Sequence, residues 1–369
     1  MKILDLLIFN KRQPIDPLSI PLTIKALDEE VTLKLSVLKN NVFDGLQYRL
    51  SDKDGWLPYE IDFEITLRKN SYVQFQNINN TLSTSSDKIF LQNSGLVEIS
   101  GNMQSMVNYI EEAPTCCFYS FFNQDYNTLG GNVTGCVSLP ATTLGESCYS
   151  NMFVKTLITE MPELPATTVP RNCYNSMFAS CSELRIVKPL PATFVDYSGY
   201  VAMFKASGIT ETPEIFAEEV GQYGFRQMFL NCINLILAKD LHVTTIGKKG
   251  CEAMFNNCSK LKTAPTLPAT TMTEYCYTNM FKNCSSLETT PLLPATTLYK
   301  GCYEYMFYNC SNLSVVKTAA STIGTSYCGD WLSGVKSTGT FYCSTDLEIH
   351  YGTSFVPEGW EVKNINEIL

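Results

Sequence analysis

The sequence predicts an α+β chain in three parts: an N-terminal β-sandwich, a solenoid of repeats built from short parallel strands and short helices, and a β-rich C-terminal cap. Three observations predict it. A Met-Phe pair recurs at Met152, Met177, Met203, Met228, Met254, Met280 and Met306, in steps of 25 or 26 residues. A step that constant marks one structural unit stacked on the next. The residues before the repeat alternate apolar and polar with a period of two, the pattern of half-buried strands. The repeat wording then stops near residue 332, while strand-like segments continue to the end.

Residues 1–19 read as an extended arm. A short apolar stretch is followed by Lys11-Arg12, Pro14 and Pro17, and proline at that density keeps a segment extended. The arm is either a first strand with a linker or a segment that docks into a partner. It lacks the pattern of a secretory signal: Asp5 interrupts the apolar run and no small-residue cleavage site follows. The first cysteine is Cys116, too late for lipidation, so the mature chain is expected to start at or near Met1.

Residues 20–105 predict an Ig-like sandwich. Val31, Leu33, Leu35 and Val37 alternate with polar residues, as do Ile61, Phe63, Ile65 and Leu67. Between them LQYRL leads into a polar turn at Asp54-Gly55 and then Trp56. SYVQFQN and KIFLQN supply further short strands. Trp56 reads as a core or rim aromatic, with a carbohydrate platform as the alternative.

Residues 106–332 predict the solenoid. GNMQSMVNYIEEAP, across its start, reads as a short helix. CFYSFF, from Cys117, puts Phe121-Phe122 in the Met-Phe slot of a degenerate first copy. Within later copies the order is LPATT, CYxxMFxxC, SxLxxxP. Cys276, Tyr277, Met280, Phe281 and Cys284 fall at i, i+1, i+4, i+5 and i+8, which predicts one face of a helix. Thr270 and Thr271 are placed to cap its start. Asn231, Asn257, Asn283 and Asn309, three residues after each Met, are placed to end it. They also form Asn-Cys-Ser glycosylation motifs at Asn257, Asn283 and Asn309, but their place in the repeat explains them better. Leu261, Leu287 and Leu313 are expected to begin a short strand that runs to the next Leu-Pro, giving one narrow parallel sheet. Phe153, Phe178, Phe204, Phe229, Phe255, Phe281 and Phe307 should form a continuous spine. A helix diameter per copy predicts a rise of ~10 Å and a body of ~70–90 Å.

Residues 333–369 predict a cap. STGTFYC and VPEGWEVKN read as a strand pair with a turn, with Trp331 and Trp360 packing over Phe307.

The fifteen cysteines suggest disulfides or metal until their spacing is read. Cys148, Cys173, Cys276 and Cys302 lie four residues before a landmark Met, with Cys328 continuing the series. Cys181, Cys232, Cys258, Cys284 and Cys310 lie four after. Gly199, Gly224 and Gly250 replace the first series in other copies. Glycine there means the slot wants a small residue, and reduced cysteine behaves as a small hydrophobe. No CxxC occurs, and His242 and His350 are the only histidines, so no metal set is expected.

At LPATTLYKGCYEYMFYNCSNL the sequence resembles the BspA-type leucine-rich repeats, the cysteine-containing kind. Residues ~115–330 carry that resemblance. The flanks, YRLSDKDGW and VPEGW among them, look like those of similar proteins encoded by gut Bacteroidetes and their phages. The resemblance implies a curved strand-and-helix solenoid used for adhesion and protein binding, not catalysis. Secreted members carry a signal peptide, a lipidation cysteine or a C-terminal anchor, none of which is found in this sequence. A virion component (fibre, tail or decoration protein) needs none of those signals.

Function classes follow from what is present. The net charge is −9 with a pI near 4.9, and no basic run or aromatic-basic patch occurs, so nucleic acid is not an expected partner. No stretch reaches the ~20 apolar residues of a membrane span. No nucleophile–base pattern and no phosphate loop occur, so catalytic residues and cofactors are expected to be none. The expected partners are a protein or glycan on a host surface, and other virion proteins through the N-terminal region; a homo-oligomer is compatible with both. The expected location is the virion, the alternatives being a bacterial cell-surface adhesin or a purely structural virion protein. Lys262, Glu288 and Ser314, which follow the strand Leu in successive copies, are the positions that vary.

Overall fold

The structure, a computed structural model, describes residues 19–38, 43–79, 82–83 and 87–368. The arm expected over residues 1–19 lies outside the described residues except for Ser19. The chain is α+β, mostly strands with few helices. Ten strands precede the full copies of the repeat: β1 (Leu22–Ala26), β2 (Glu30–Val37), β3 (Leu46–Arg49), β4 (Leu57–Pro58), β5 (Ile65–Arg68), β6 (Tyr72–Asn77), β7 (Ile89–Asn93), β8 (Leu96–Ser100), β9 (Glu112–Ala113) and β10 (Asn132–Gly135). Six of them form one sheet in the order β10-β8-β1-β6-β3-β4, and β5-β2-β7 form a second. Alternation drives this: Leu22 and Ile24 of β1, Val31, Leu33 and Leu35 of β2, and Val97 and Ile99 of β8 are fully buried in one cluster. The second alternating run is shorter than expected. Asp62 takes a left-handed conformation (φ 64°), so Ile61 and Phe63 lie in and beside a turn, Phe63 is exposed, and only Ile65 and Leu67 enter β5. Residues Met103–Val107 form a 3-10 helix capped by Asn102 and ended by Asn108 at φ 54°.

The repeat departs most from the helical expectation. Among the described residues the only α-helix is α1 (Thr325–Cys328). The CYxxMFxxC segments are chains of turns with a period of four. In one copy, Cys173, Asn175, Met177, Ala179 and Cys181 donate their N–H three residues back, to Pro170, Asn172, Tyr174, Ser176 and Phe178. The residues between them, Tyr174, Ser176, Phe178 and Ser180, donate to the carbonyls of Gly199, Val201, Met203 and Lys205 in the next copy. Amides alternate between closing a turn and joining neighbours, so the backbone groups a helix would satisfy internally are shared between coils. The turns need a left-handed residue every fourth position. These fall five before, one before and three after each Met: Asn172, Ser176 and Ser180 in this copy, Tyr275, Asn279 and Asn283 in a later one. The i, i+1, i+4, i+5, i+8 pattern was therefore a period of four, not 3.6. Thr270 and Thr271 have no helix to cap, and the asparagines have no helix to end, although their left-handed conformation is as expected.

Coils joined by backbone hydrogen bonds sit at strand spacing, not helix spacing. Phe122, Phe153, Phe178, Phe204, Phe229, Phe255, Phe281 and Phe307 stack with centroids 5.3 to 5.6 Å apart. The expected rise of ~10 Å is thus about half that, close to the ~4.8 Å between paired strands.

The short strands of the repeat are β11 (Thr143–Leu144), β12 (Thr168–Val169), β13 (Phe194–Val195), β14 (Glu219–Val220) and β15 (Thr245–Ile246). They lie at the end of the LPATT wording, earlier in each copy than expected. β9 pairs with β11, and β12-β13-β14-β15 form a parallel sheet. A separate parallel sheet follows: β16 (Thr289–Leu293), β17 (Val315–Thr318), β18 (Thr340–Cys343) and β19 (Glu361–Asn364). β16 and β17 start two residues after Leu287 and Leu313, which are buried at turn ends. The single narrow sheet of the sequence reading is therefore several ladders. β18 and β19 pair parallel, not as a hairpin, and extend that sheet past the point where the repeat wording lapses.

Candidate interaction surface

The interior of each copy is fixed by a few columns. Beside the phenylalanine spine runs a second ring column, Phe118, Tyr149, Tyr174, Tyr200 and Phe225, with centroids 5.7 to 5.8 Å apart. Cys251 takes the next slot in sequence, and the column resumes at Tyr277 and Tyr303. Trp331 closes both columns, lying 6.0 Å from Tyr303 and 6.5 Å from Phe307. Trp360 does not reach them; it covers Gly339 and donates its indole N–H to Lys336 O at 2.8 Å. The Tyr149 and Tyr303 hydroxyls are buried without a hydrogen-bond partner.

The two cysteine series have different tasks. The slot four before the Met is limited by space. A Cβ on Gly224 would come within 2.5 Å of Val220, and one on Gly250 within 2.6 Å of Ile246. The slot four after the Met wants a donor. Cys181, Cys232, Cys258, Cys284 and Cys310 donate S–H to the carbonyl of the Phe in the preceding copy, at 2.9 to 3.2 Å. Thr156 and Ser207 stand in this slot in the other copies; the Thr156 hydroxyl donates to Phe153 O of its own copy, and the Ser207 hydroxyl lies 3.7 Å from Cys232 Sγ. Burial pushes Cys232 up to about 11 and Cys181 and Cys284 up to about 12, so these thiols stay protonated donors. That the slot takes only Cys, Ser or Thr, all small and able to donate, was legible in the sequence, and the sequence reading missed it. The asparagines have a second task as well: Asn309 donates to Asn283, Asn283 to Asn257, and Asn257 to Asn231, at 3.2, 2.7 and 2.8 Å.

The residues singled out for chemistry do not converge. His242 is exposed and stacks on Phe216 at 6.0 Å, both standing where other copies carry the Leu-Pro proline. His350 lies 3.4 Å from Glu348 and edge-on to Phe355. Trp56 is half-buried under the Arg49 guanidinium at 4.7 Å, a rim position. Among the described residues no group of three His, Cys, Asp or Glu gathers at metal-binding distance, and no helix is long and apolar enough to cross a membrane.

Variation sits outside. Thr159, Arg185, Thr210, Ile236, Lys262, Glu288 and Ser314 share the position after the turn-end Leu or Ile in successive copies. Ile236, with Ile233 and Leu237, leaves apolar surface exposed in the copies whose wording is most eroded.

The turn segments form a second outer face. A linear scan finds no aromatic-basic patch because each copy supplies only one or two such residues; the stack assembles them. Arg171 lies over the Tyr197 ring at 4.5 Å, Arg226 over Tyr223 at 5.5 Å and Lys249 over Tyr275 at 5.5 Å. Lys282 lies over Tyr305 and Tyr308 at 5.1 and 4.9 Å. The segments from seven before to three after each Met carry eight Lys and Arg against five Asp and Glu, in a chain with 27 against 36. The face is therefore basic on an acidic protein.

No family model, curated protein or solved structure matches the sequence.

Proposed function

We propose that the chain is a non-enzymatic interaction module of a phage virion. In this reading a β-sandwich at residues 20–105, with the arm before it, docks to other virion proteins. A solenoid over residues 106–332, closed by a β-rich cap at 333–369, then presents a surface for host recognition. The observation that supports it is the contrast between inside and outside. The buried Met and Phe columns repeat unchanged through seven copies, while the outer column of Thr159, Arg185, Thr210, Ile236, Lys262, Glu288 and Ser314 changes at every step. A scaffold kept constant under a varied extended surface is what a repeat array offers a binding partner. The resemblance to BspA-type repeats points the same way.

The test has two arms. Mass spectrometry and immunogold labelling of purified particles should find the chain on them, and deletion of residues 1–19 should release it while the array stays folded. Purified full-length chain should bind host cells. Labelling of uninfected bacterial envelopes instead would favour the cell-surface adhesin, and particle incorporation without cell binding would favour the purely structural role.

A further inference from the structure

The basic and aromatic face of the turn segments ends in a cleft of about 360 Å³, lined by Tyr275, Lys300, Gly301, Glu304, Thr325, Ser326 and Tyr327. Its origin is a single glycine. Gly301 holds a left-handed position (φ 61°) that Tyr275 fills one copy earlier and Lys249 two copies earlier. The Tyr275 ring has closed over the missing side chain, so that a Cβ on Gly301 would come within 2.4 Å of it. The opening beyond that ring is bounded by the half-buried Tyr327 and the exposed hydroxyls of Thr325 and Ser326. The Glu304 carboxylate and the Lys300 ammonium complete it, with Nζ 5.9 Å from the Tyr275 centroid.

The chemistry of this lining is selective. The Tyr275 and Tyr327 side chains supply apolar wall for the C–H side of a pyranose. Two hydroxyls, a carboxylate and an ammonium offer donors and acceptors for its hydroxyl rim, the mix of apolar wall and few polar groups expected of a small-molecule site. Among the described residues neither Lys300 nor Lys282 has a carboxylate at ion-pair distance, unlike Lys248, which Glu274 holds at 2.7 Å. Both cations rest over tyrosine rings instead, leaving their charge for an incoming anion. Glu304 at the cleft and Glu274 beside it would repel a strand carrying a phosphate at every unit, which disfavours nucleic acid. A glycan whose acidic units alternate with neutral ones meets less of that repulsion and brings hydroxyls from which the two carboxylates can accept.

We propose that this cleft is a saccharide subsite for an acidic glycan. One pyranose packs between Tyr275 and Tyr327, and its carboxylate or sulfate meets Lys300. The proposal rests on reading the chain as a binding module and narrows its ligand.

Titration of the full-length chain with hyaluronan, keratan sulfate, neutral dextran and an oligothymidylate tests it. At least one acidic polysaccharide should bind, more weakly as salt rises, and the two acidic probes separate a uronate from a sulfate preference. Lys300→Gln, and Tyr275→Ala combined with Tyr327→Ala, should each weaken binding about tenfold. Lys336→Gln, an exposed change in the C-terminal segment outside the cleft lining, should leave it unchanged. Lys300→Gln alters an exposed side chain and keeps the test readable if loss of the Tyr275 ring disturbs packing over Gly301. The proposal is overturned if neither acidic polysaccharide binds, if Lys300→Gln binds as well as wild type, or if oligothymidylate binds as tightly as the polysaccharides. Host-cell adhesion that persists in these variants would retain the module and remove this site. Polysaccharide binding by a chain absent from particles would do the reverse.

Discussion

At the scale of single residues, the repeat depends on conformations that most side chains avoid. Each copy needs three left-handed residues, and most are not glycine: Tyr223, Gln227, Lys249, Ala253 and Tyr275 are among them. A side chain there costs about 1 kcal/mol or more. Ala206, exposed at φ 54°, is the cleanest case. Ala206→Gly should stabilise the chain by about 0.5–1 kcal/mol in urea unfolding, the strain relieved being only partly offset by a freer unfolded chain. The buried, unpartnered Tyr303 hydroxyl is a second reserve. Phe118 and Phe225 already occupy its column, so Tyr303→Phe should raise stability by about 1 kcal/mol. Cys258 should behave in the opposite way. Cys258→Ser keeps a donor in the slot, for Phe229 O or, as with Thr156 and Phe153, for the Phe carbonyl three residues back. Cys258→Val fills the space without donating and should cost about 1–3 kcal/mol more. The small-residue slots were legible in the sequence because Gly and Cys interchange there. The left-handed positions were not, because only the one after the Met is regularly Asn; the two before it carry Asn or Gly only at Asn151, Asn172, Asn279 and Gly301, and otherwise Ser, Tyr, Lys, Ala or Gln, which signal little locally.

At the scale of elements, the CYxxMFxxC segment shows how a four-residue period can pass for a helix. Residues i, i+1, i+4 and i+5 suit both. The difference lies at i+3 and i+7: a helix would use them on its apolar face, whereas Asn279 and Asn283 stand there, left-handed and outside the buried core. The strands of the N-terminal sheets were legible, since alternation with a period of two has no competing reading. The two-residue strands β12 to β15 were too short for any pattern. Energetically the ring columns dominate. Phe281, fully buried between Phe255 and Phe307, should cost about 3–5 kcal/mol when replaced by Ala, read as a lower urea midpoint. The donor cysteines add a pH dependence. Below about pH 9 these thiols are protonated in both the folded and unfolded chain, so pH has no effect through them. Above it the unfolded chain releases protons that the folded chain holds until about 11 to 12. Stability should therefore fall as pH rises from about 9, and a midpoint that stays flat to pH 11 would contradict the buried-donor role.

At the scale of the whole molecule, the central claim is that neighbouring coils are joined by backbone hydrogen bonds at strand spacing, and that this spacing gathers residues 26 apart onto common outer faces. The sequence carried the existence and register of the stack, because the Met-Phe step is nearly constant. It did not carry the rise, because that depends on whether amides bond within a coil or between coils, which the side-chain pattern leaves open. A distance measurement settles the rise. Ser182 and Ser311 are exposed and stand at equivalent positions five copies apart. Spin labels at Ser182→Cys and Ser311→Cys can be read by double electron–electron resonance, with Cys136→Ser removing the one thiol among the described residues that is not buried. Five steps at strand-like spacing predict a separation of about 25–30 Å; a separation near ~50 Å, the span of five helix diameters, would contradict the account.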